Sequence, residues 1–167
     1  RMIFNMSEAD WDSVIAVHMK GSFNLSRHAC EYWREQHKAG NVLNGRIINT
    51  SSDAGLLGNP SQLNYGAAKA ALALMAITLD YEMKKYGVSC NAIAPLARTR
   101  LTVDATPSTA AIMGGEVKEG EFDVFGPQNI APLVAWLASD DAKDCHGEVF
   151  RVGGGTVWLM KGWHSVD

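Results

Sequence analysis

Helical spacing dominates the start of the chain. Trp11, Val14, Ile15, His18, Met19, Phe23 and Leu25 recur at intervals of three and four and trace one face. Ser7-Glu8-Ala9-Asp10 stands before them and resembles a capping box with Asp in the place of Glu. Its acidic residues suit the positive end of a helix dipole. The pattern predicts a helix from Ser7 to about Ala29, with a more polar continuation through Lys38. Gly21 interrupts it at a cost of about 1 kcal/mol relative to Ala, and close packing is the expected reason for it. Residues 40–45 read as a turn.

The period then changes. Residues 46–50, RIINT, are rich in β-branched side chains and predict a short buried strand. Residues 51–61 form a Gly/Ser/Asn/Pro loop. A long helix follows from about Asn64 to Tyr86, with Ala67, Ala68, Ala70, Ala71, Ala73 and Ala76 giving high propensity and a smooth surface. Gly87 is a natural helix stop. Residues 88–94, VSCNAIA, read as the next strand, ended by Pro95.

Residues 98–126 carry Pro107, Gly114, Gly115 and Gly120 between charges. They read as a loop with a short helix, of the kind that covers a pocket. Residues 127–139 predict a further helix with Pro127 in its first turn and Leu133, Val134, Trp136 and Leu137 on its apolar face. Residues 148–152 predict a last strand. Gly153-Gly154-Gly155, a second apolar piece (156–160) and a tail with Trp163 and His164 complete the chain.

The order is therefore α-β-α-β-lid-α-β. Such alternation predicts an α/β fold, a Rossmann-like, doubly wound parallel sheet with helices on both faces. Ligands of such sheets sit beyond the carboxyl ends of the strands. Ser51 and Ser52 follow one strand, and residues 95–102 follow the next.

Composition narrows the function classes. The 167 residues suffice for one domain with a core, and 47% are apolar against 20% charged, an ordinary globular balance. Fifteen basic and eighteen acidic residues give a net charge of −3, with no basic run to hold nucleic acid. No apolar stretch is long enough to span a bilayer, so no membrane partner is expected. Cys30, Cys90 and Cys145 are far apart and lack metal-ligand spacing, which fits a reducing, cytoplasmic setting. The chain begins at Arg1 without an initiator Met, so we expect the later part of a longer protein.

Residues 47–69, IINTSSDAGLLGNPSQLNYGAAK, carry the candidate chemistry. Tyr65 and Lys69 stand at i and i+4 and share a helix face. An ammonium beside a phenol favours the phenolate, which makes Tyr65 a candidate general acid and base. Ser52 lies 13 residues before Tyr65, across a loop that can return its hydroxyl to the same cleft. A hydroxyl donor there can hold a substrate oxygen while the phenol supplies the proton.

The serine at that distance, NYGAAK (64–69), NAIAP (91–95) and GEVFRV (147–152) followed by GGG resemble the short-chain dehydrogenase/reductase family, in the right order over nearly the whole chain. The resemblance implies reversible hydride transfer between NAD(P) and a secondary alcohol or ketone. It implies that Tyr65 moves the hydroxyl proton, that Lys69 tunes Tyr65 and bonds the nicotinamide ribose, and that Ser52 positions the substrate oxygen. A fourth family position, usually Asn, falls on His18. With APLARTRLT (94–102), this histidine resembles the branch holding the dehydrogenase part of multifunctional β-oxidation enzymes and related 3-hydroxyacyl-CoA or 17β-hydroxysteroid dehydrogenases. That branch favours NAD, with NADP left open, and a homodimer or homotetramer.

Two departures accompany the resemblance. Leu96 stands where the family commonly has Gly after Pro95, and the span to Thr99 is one residue shorter. Pro95, Thr99 and Thr102 remain the candidates for the cofactor's carboxamide and pyrophosphate. The glycine-rich turn that holds pyrophosphate on a helix N-terminus is not found in these residues, and Gly153–Gly155 does not open a βαβ unit. Residues 1–167 are thus expected to form the C-terminal portion of a single short-chain dehydrogenase/reductase domain, with the N-terminal phosphate-binding half missing. A non-catalytic truncated chain or pseudoenzyme, serving as an assembly module, is the alternative. Arg98 and Arg100 either meet an acidic group such as a CoA phosphate or form surface ion pairs.

Overall fold

A computed structural model describes residues 1–104, 107–163 and 165. His164 of the tail lies outside the described residues. The elements run α1 (Glu8–Val14), a π-helical turn (Ile15–Lys20), α2 (Gly21–Lys38), β1 (Gly45–Thr50), α3 (Asp53–Leu56), α4 (Leu63–Met83), β2 (Val88–Pro95), α5 (Arg100–Val103), α6 (Pro107–Met113), α7 (Ala131–Ala138), β3 (Val149–Gly153) and β4 (Thr156–Met160). Among the described residues no helix is long and apolar enough to cross a membrane.

The four strands form one sheet in the order β1-β2-β3-β4. β1 and β2 are parallel, as are β2 and β3, while β4 returns antiparallel to β3. β2 is buried along Val88–Ala94 because both of its faces are covered. Ala92 packs with Ala73 and Ala76 of α4. Ile93, one residue on, packs with Leu133 and Leu137 of α7 on the opposite face. Adjacent strand residues point to opposite sides, so the sheet is doubly wound, as the alternation predicts. Cys90, Val88 and Met83 extend the α4 face towards Trp33 and Cys30 of α2.

The first helix forms as its capping box predicts. The Ser7 hydroxyl accepts from Asp10 N–H, and the Asp10 carboxylate accepts from Ser7 N–H. Its inward face differs from the expected one. Phe23 and Leu25 are exposed, and the row facing inward runs from Ile15 through His18 and Ser22 to buried Ser26. One extra residue in the π turn accommodates this row. Gly21 is not a close-packing position, since a Cβ there would make only an ordinary 3.7 Å contact with the Ala16 carbonyl oxygen. Trp136 of α7 is likewise more exposed than its place on the apolar repeat predicts.

Two elements go beyond the pattern. The loop at 51–61 contains the four-residue helix α3. Residues 153–160 complete a β-hairpin in which Gly154 and Gly155 adopt φ of +57° and +73°. Positive φ at both turn residues is what a two-residue hairpin of this twist needs. The lid holds two short helices, α5 and α6.

Candidate active site

β1 ends at Thr50 and delivers Ser51 and Ser52 to the carboxyl end of the sheet. The two serines divide their work. Ser51 is buried and donates its hydroxyl to the Lys69 carbonyl oxygen at 2.8 Å, which fastens the loop to α4. Ser52 is half-buried and caps α3, accepting from Ala54 N–H at 3.3 Å. Its own proton therefore stays available for donation.

α3 lies directly on α4. A Cβ on Gly55 would sit 2.6 Å from the Ala70 nitrogen, and one on Gly66 would sit 2.9 Å from the Ala54 carbonyl oxygen. Only hydrogen fits at both crossings. This contact fixes α3, which Ser52 begins, against α4, which carries Tyr65 and Lys69.

Lys69 is buried and donates Nζ–H to the Thr50 carbonyl oxygen at 2.8 Å. Its Nζ lies 5.6 Å from the centre of the Tyr65 ring. His18 also meets that ring edge-on, with centroids 5.2 Å apart and planes at 85°. The π turn thus places His18 beside Tyr65. Asn64 ties the two helices together, since its side chain donates to the Asp10 carbonyl oxygen at 2.9 Å and accepts from Tyr65 N–H at 2.8 Å.

Burial lowers the His18 pKa, and the positive charge of Lys69 lowers it further. His18 therefore stays neutral near neutral pH, with one donor and one acceptor nitrogen. Burial also lowers the Lys69 pKa. A groove of about 400 Å³ opens between α2 and β1, lined among others by His18, Ser26, Trp33, Thr50 and Lys69.

The threonines form their own unit at the end of β2. Thr99 caps α5, accepting from Thr102 N–H at 3.2 Å, and the two hydroxyls lie 2.8 Å apart. Pro95 closes β2 beside them. Arg98 is bonded within the lid. It donates to the carbonyl oxygens of Met113 and Gly115 and forms an ion pair with Asp123.

Several contributors have no signature in the sequence pattern. Gly55 and Gly66 are legible only as a loop glycine and a motif glycine until their crossing is seen. Asp53, beside Ser52, receives two-point hydrogen bonds from Arg151 of β3. That pairing raises the Arg151 pKa. The cysteines are unpaired, and burial pushes the Cys90 thiol up to about 12, with Cys30 and Asp80 adding to the shift. Among the described residues no cluster could hold a metal ion.

Parallel strands that bring a serine, a tyrosine–lysine pair and two threonines to one end of the sheet define a doubly wound α/β protein with a ligand end. The family model described as Enoyl-(Acyl carrier protein) reductase matches residues 1–157, and the chain belongs to this family, within the short-chain dehydrogenases/reductases. The chain is 42% identical to Hydroxyacyl-CoA dehydrogenase ChsB1 of Mycobacterium tuberculosis over 98% of its length and 51% of that protein's. It is 42% identical to Peroxisomal multifunctional enzyme A of Dictyostelium discoideum over 93% of its length and 31% of that protein's. A crystal structure of a short chain dehydrogenase from Mycobacterium avium superposes with a TM-score of 0.83 at 48% identity, covering 100% of this chain and 54% of that one. The chain thus spans about half or less of the length of these relatives.

Proposed function

We propose that this chain forms the proton-handling half of a nicotinamide-dependent dehydrogenase that oxidises a secondary alcohol, and reduces the ketone, of a 3-hydroxyacyl thioester. A hydroxysteroid is the second substrate class. The observation that carries the proposal is the contact of the Tyr65 ring with both His18 and Lys69 at the carboxyl end of β1. The likeness to a hydroxyacyl-CoA dehydrogenase supports the thioester.

The donor set at this end fits a nicotinamide nucleotide. Lys69 Nζ has three hydrogens and gives one to the Thr50 carbonyl oxygen, which leaves two for a ribose diol. Tyr65 and Lys69 would hold the ribose, and Pro95, Thr99 and Thr102 would meet the carboxamide or pyrophosphate. When bound, the nicotinamide supplies or accepts the hydride.

The chain's own residues handle the substrate oxygen. Ser52 donates its free hydroxyl proton to that oxygen and fixes the carbonyl. Tyr65 gives a proton to it during reduction and takes one during oxidation. Lys69 stands beside the Tyr65 ring, its Nζ 5.6 Å from the ring centre, where it orients the phenol and the ribose. Neutral His18, with a donor and an acceptor nitrogen, holds the far end of the proton path. NAD is the preferred cofactor by analogy with the branch that His18 resembles.

A homodimer or homotetramer is the proposed assembly, supported by the exposed Leu25 of α2 and the exposed Leu74 and Tyr81 of α4. Three unpaired thiols support a reducing, cytoplasmic compartment. The test is turnover by the full-length protein on 3-hydroxyacyl-CoA and hydroxysteroid panels, with NAD and NADP in parallel. The expected result is NAD-dependent oxidation of the thioester. Absence of turnover on every secondary alcohol would favour the assembly-module alternative.

A further inference from the structure

Ser52 begins α3, and α3 has only four residues. A single helical turn is not stable by itself, so the serine's position depends on what holds the turn. Gly55 and Gly66 hold one side against α4. The other side is held from the far end of the chain. Arg151 Nε donates to both Asp53 carboxylate oxygens, at 2.9 and 3.1 Å, and its Nη2 donates to Oδ2 at 3.0 Å.

Arg151 is itself firmly mounted. It lies in β3, which is paired on one side with β2 and on the other with β4. Its cross-strand neighbour Trp158 lies under the guanidinium at 4.6 Å from the ring centre. A planar fork stacked on an indole and bonded at two points fixes direction as well as distance, which a single surface ion pair does not. Asp53 and Ser52 are consecutive, so their Cα atoms stay about 3.8 Å apart and a shift of one moves the other.

We infer that Asp53 and Arg151 form a clamp from the C-terminal hairpin that sets the position of the Ser52 hydroxyl, making both of them positioning residues for the reaction. The inference rests on the dehydrogenase reading above. It assigns the β3–β4 hairpin a role at the site.

The experiment uses the full-length protein. Arg151→Met, Asp53→Asn and Arg151→Lys are measured alone and in a Ser52→Ala background, with Lys161→Gln, which breaks the neighbouring Glu148–Lys161 pair, as the control. Arg151→Met and Asp53→Asn should each lower kcat about 10- to 100-fold, the size of effect expected for small misplacement of a reacting group. The KM for cofactor should stay within about two-fold, and Arg151→Lys should recover part of the loss. In the Ser52→Ala background the same substitutions should cost nothing more, since the hydroxyl they position is gone. Amide exchange at Gly55 and Leu56, which bond the Ser52 carbonyl, should quicken in both clamp variants.

Wild-type kcat in Arg151→Met and Asp53→Asn, with Ser52→Ala impaired, would overturn the clamp and leave the site reading intact. Losses that multiply with Ser52→Ala would also overturn it, because they would mark general structural damage. If Arg151→Met does not fold, Asp53→Asn, which keeps the side-chain shape, decides the matter alone. Full activity of Ser52→Ala would overturn the site reading and the clamp with it.

Discussion

Gly55 meets the backbone of Lys69 so closely that a methyl group on it would lie 2.6 Å from the Lys69 carbonyl carbon and 2.8 Å from its Cβ. Neither neighbour can yield, because both belong to the well-packed middle of α4. Gly55→Ala should therefore push α3 off α4 and cost about 1–3 kcal/mol of stability. Turnover should fall further than stability does, because Ser52 would be carried away from Tyr65. Thermal unfolding and kcat measured together check this, and an unchanged kcat would contradict it.

Lys69 is the clearest case of a residue kept at the expense of stability. Its charge is buried, and burial lowers its pKa. Thr50, whose carbonyl it bonds, is exposed and can turn to water instead. Lys69→Met should thus leave stability within about 1 kcal/mol of the parent or raise it. It should abolish turnover. A folded variant with full activity would contradict the role of the ammonium.

His18 predicts a pH dependence with a definite sign. Its folded pKa lies below the ordinary 6.5, through burial first and Lys69 second. On acidification the unfolded chain takes up the proton first, so the contribution is present above about pH 6.5 and is lost as the pH falls through the folded value. His18→Asn should flatten the fall of the unfolding midpoint below about pH 6.5 and remove the acid limb of turnover. Identical slopes in parent and variant would contradict this.

Arg98 staples the lid through Met113, Gly115 and Asp123. Arg98→Met should free residues 113–123 for limited proteolysis while the sheet stays resistant. Equal cleavage rates in the two proteins would contradict the staple.

The grouping of the candidate site residues was legible in the sequence because its members lie on local elements. Tyr65 and Lys69 are one helical turn apart, and Ser52 is a loop away. Periodicity also gave the alternation and therefore the doubly wound sheet. It could not give the π turn, because one extra residue leaves the repeat of threes and fours nearly unchanged, and so the inward row of His18, Ser22 and Ser26 was hidden. The four residues of α3 are too few to carry a period. The Asp53–Arg151 pairing spans 98 positions, and the hairpin that delivers Arg151 depends on positive φ at Gly154 and Gly155. Such contacts are properties of the folded backbone and leave no local trace.

Tyr65 is where the account is most exposed. Its ring is in contact with both His18 and Lys69, and its hydroxyl is the one group removed by Tyr65→Phe. Stopped-flow turnover and NADH binding of this variant in the full-length protein are the direct measurement. The expected result is a fall in kcat of about 100-fold or more, as on losing a positioned acid–base group, with NADH affinity within about three-fold of the parent. Near-normal turnover with the phenol hydroxyl gone would contradict the proton-transfer role on which the proposed function rests.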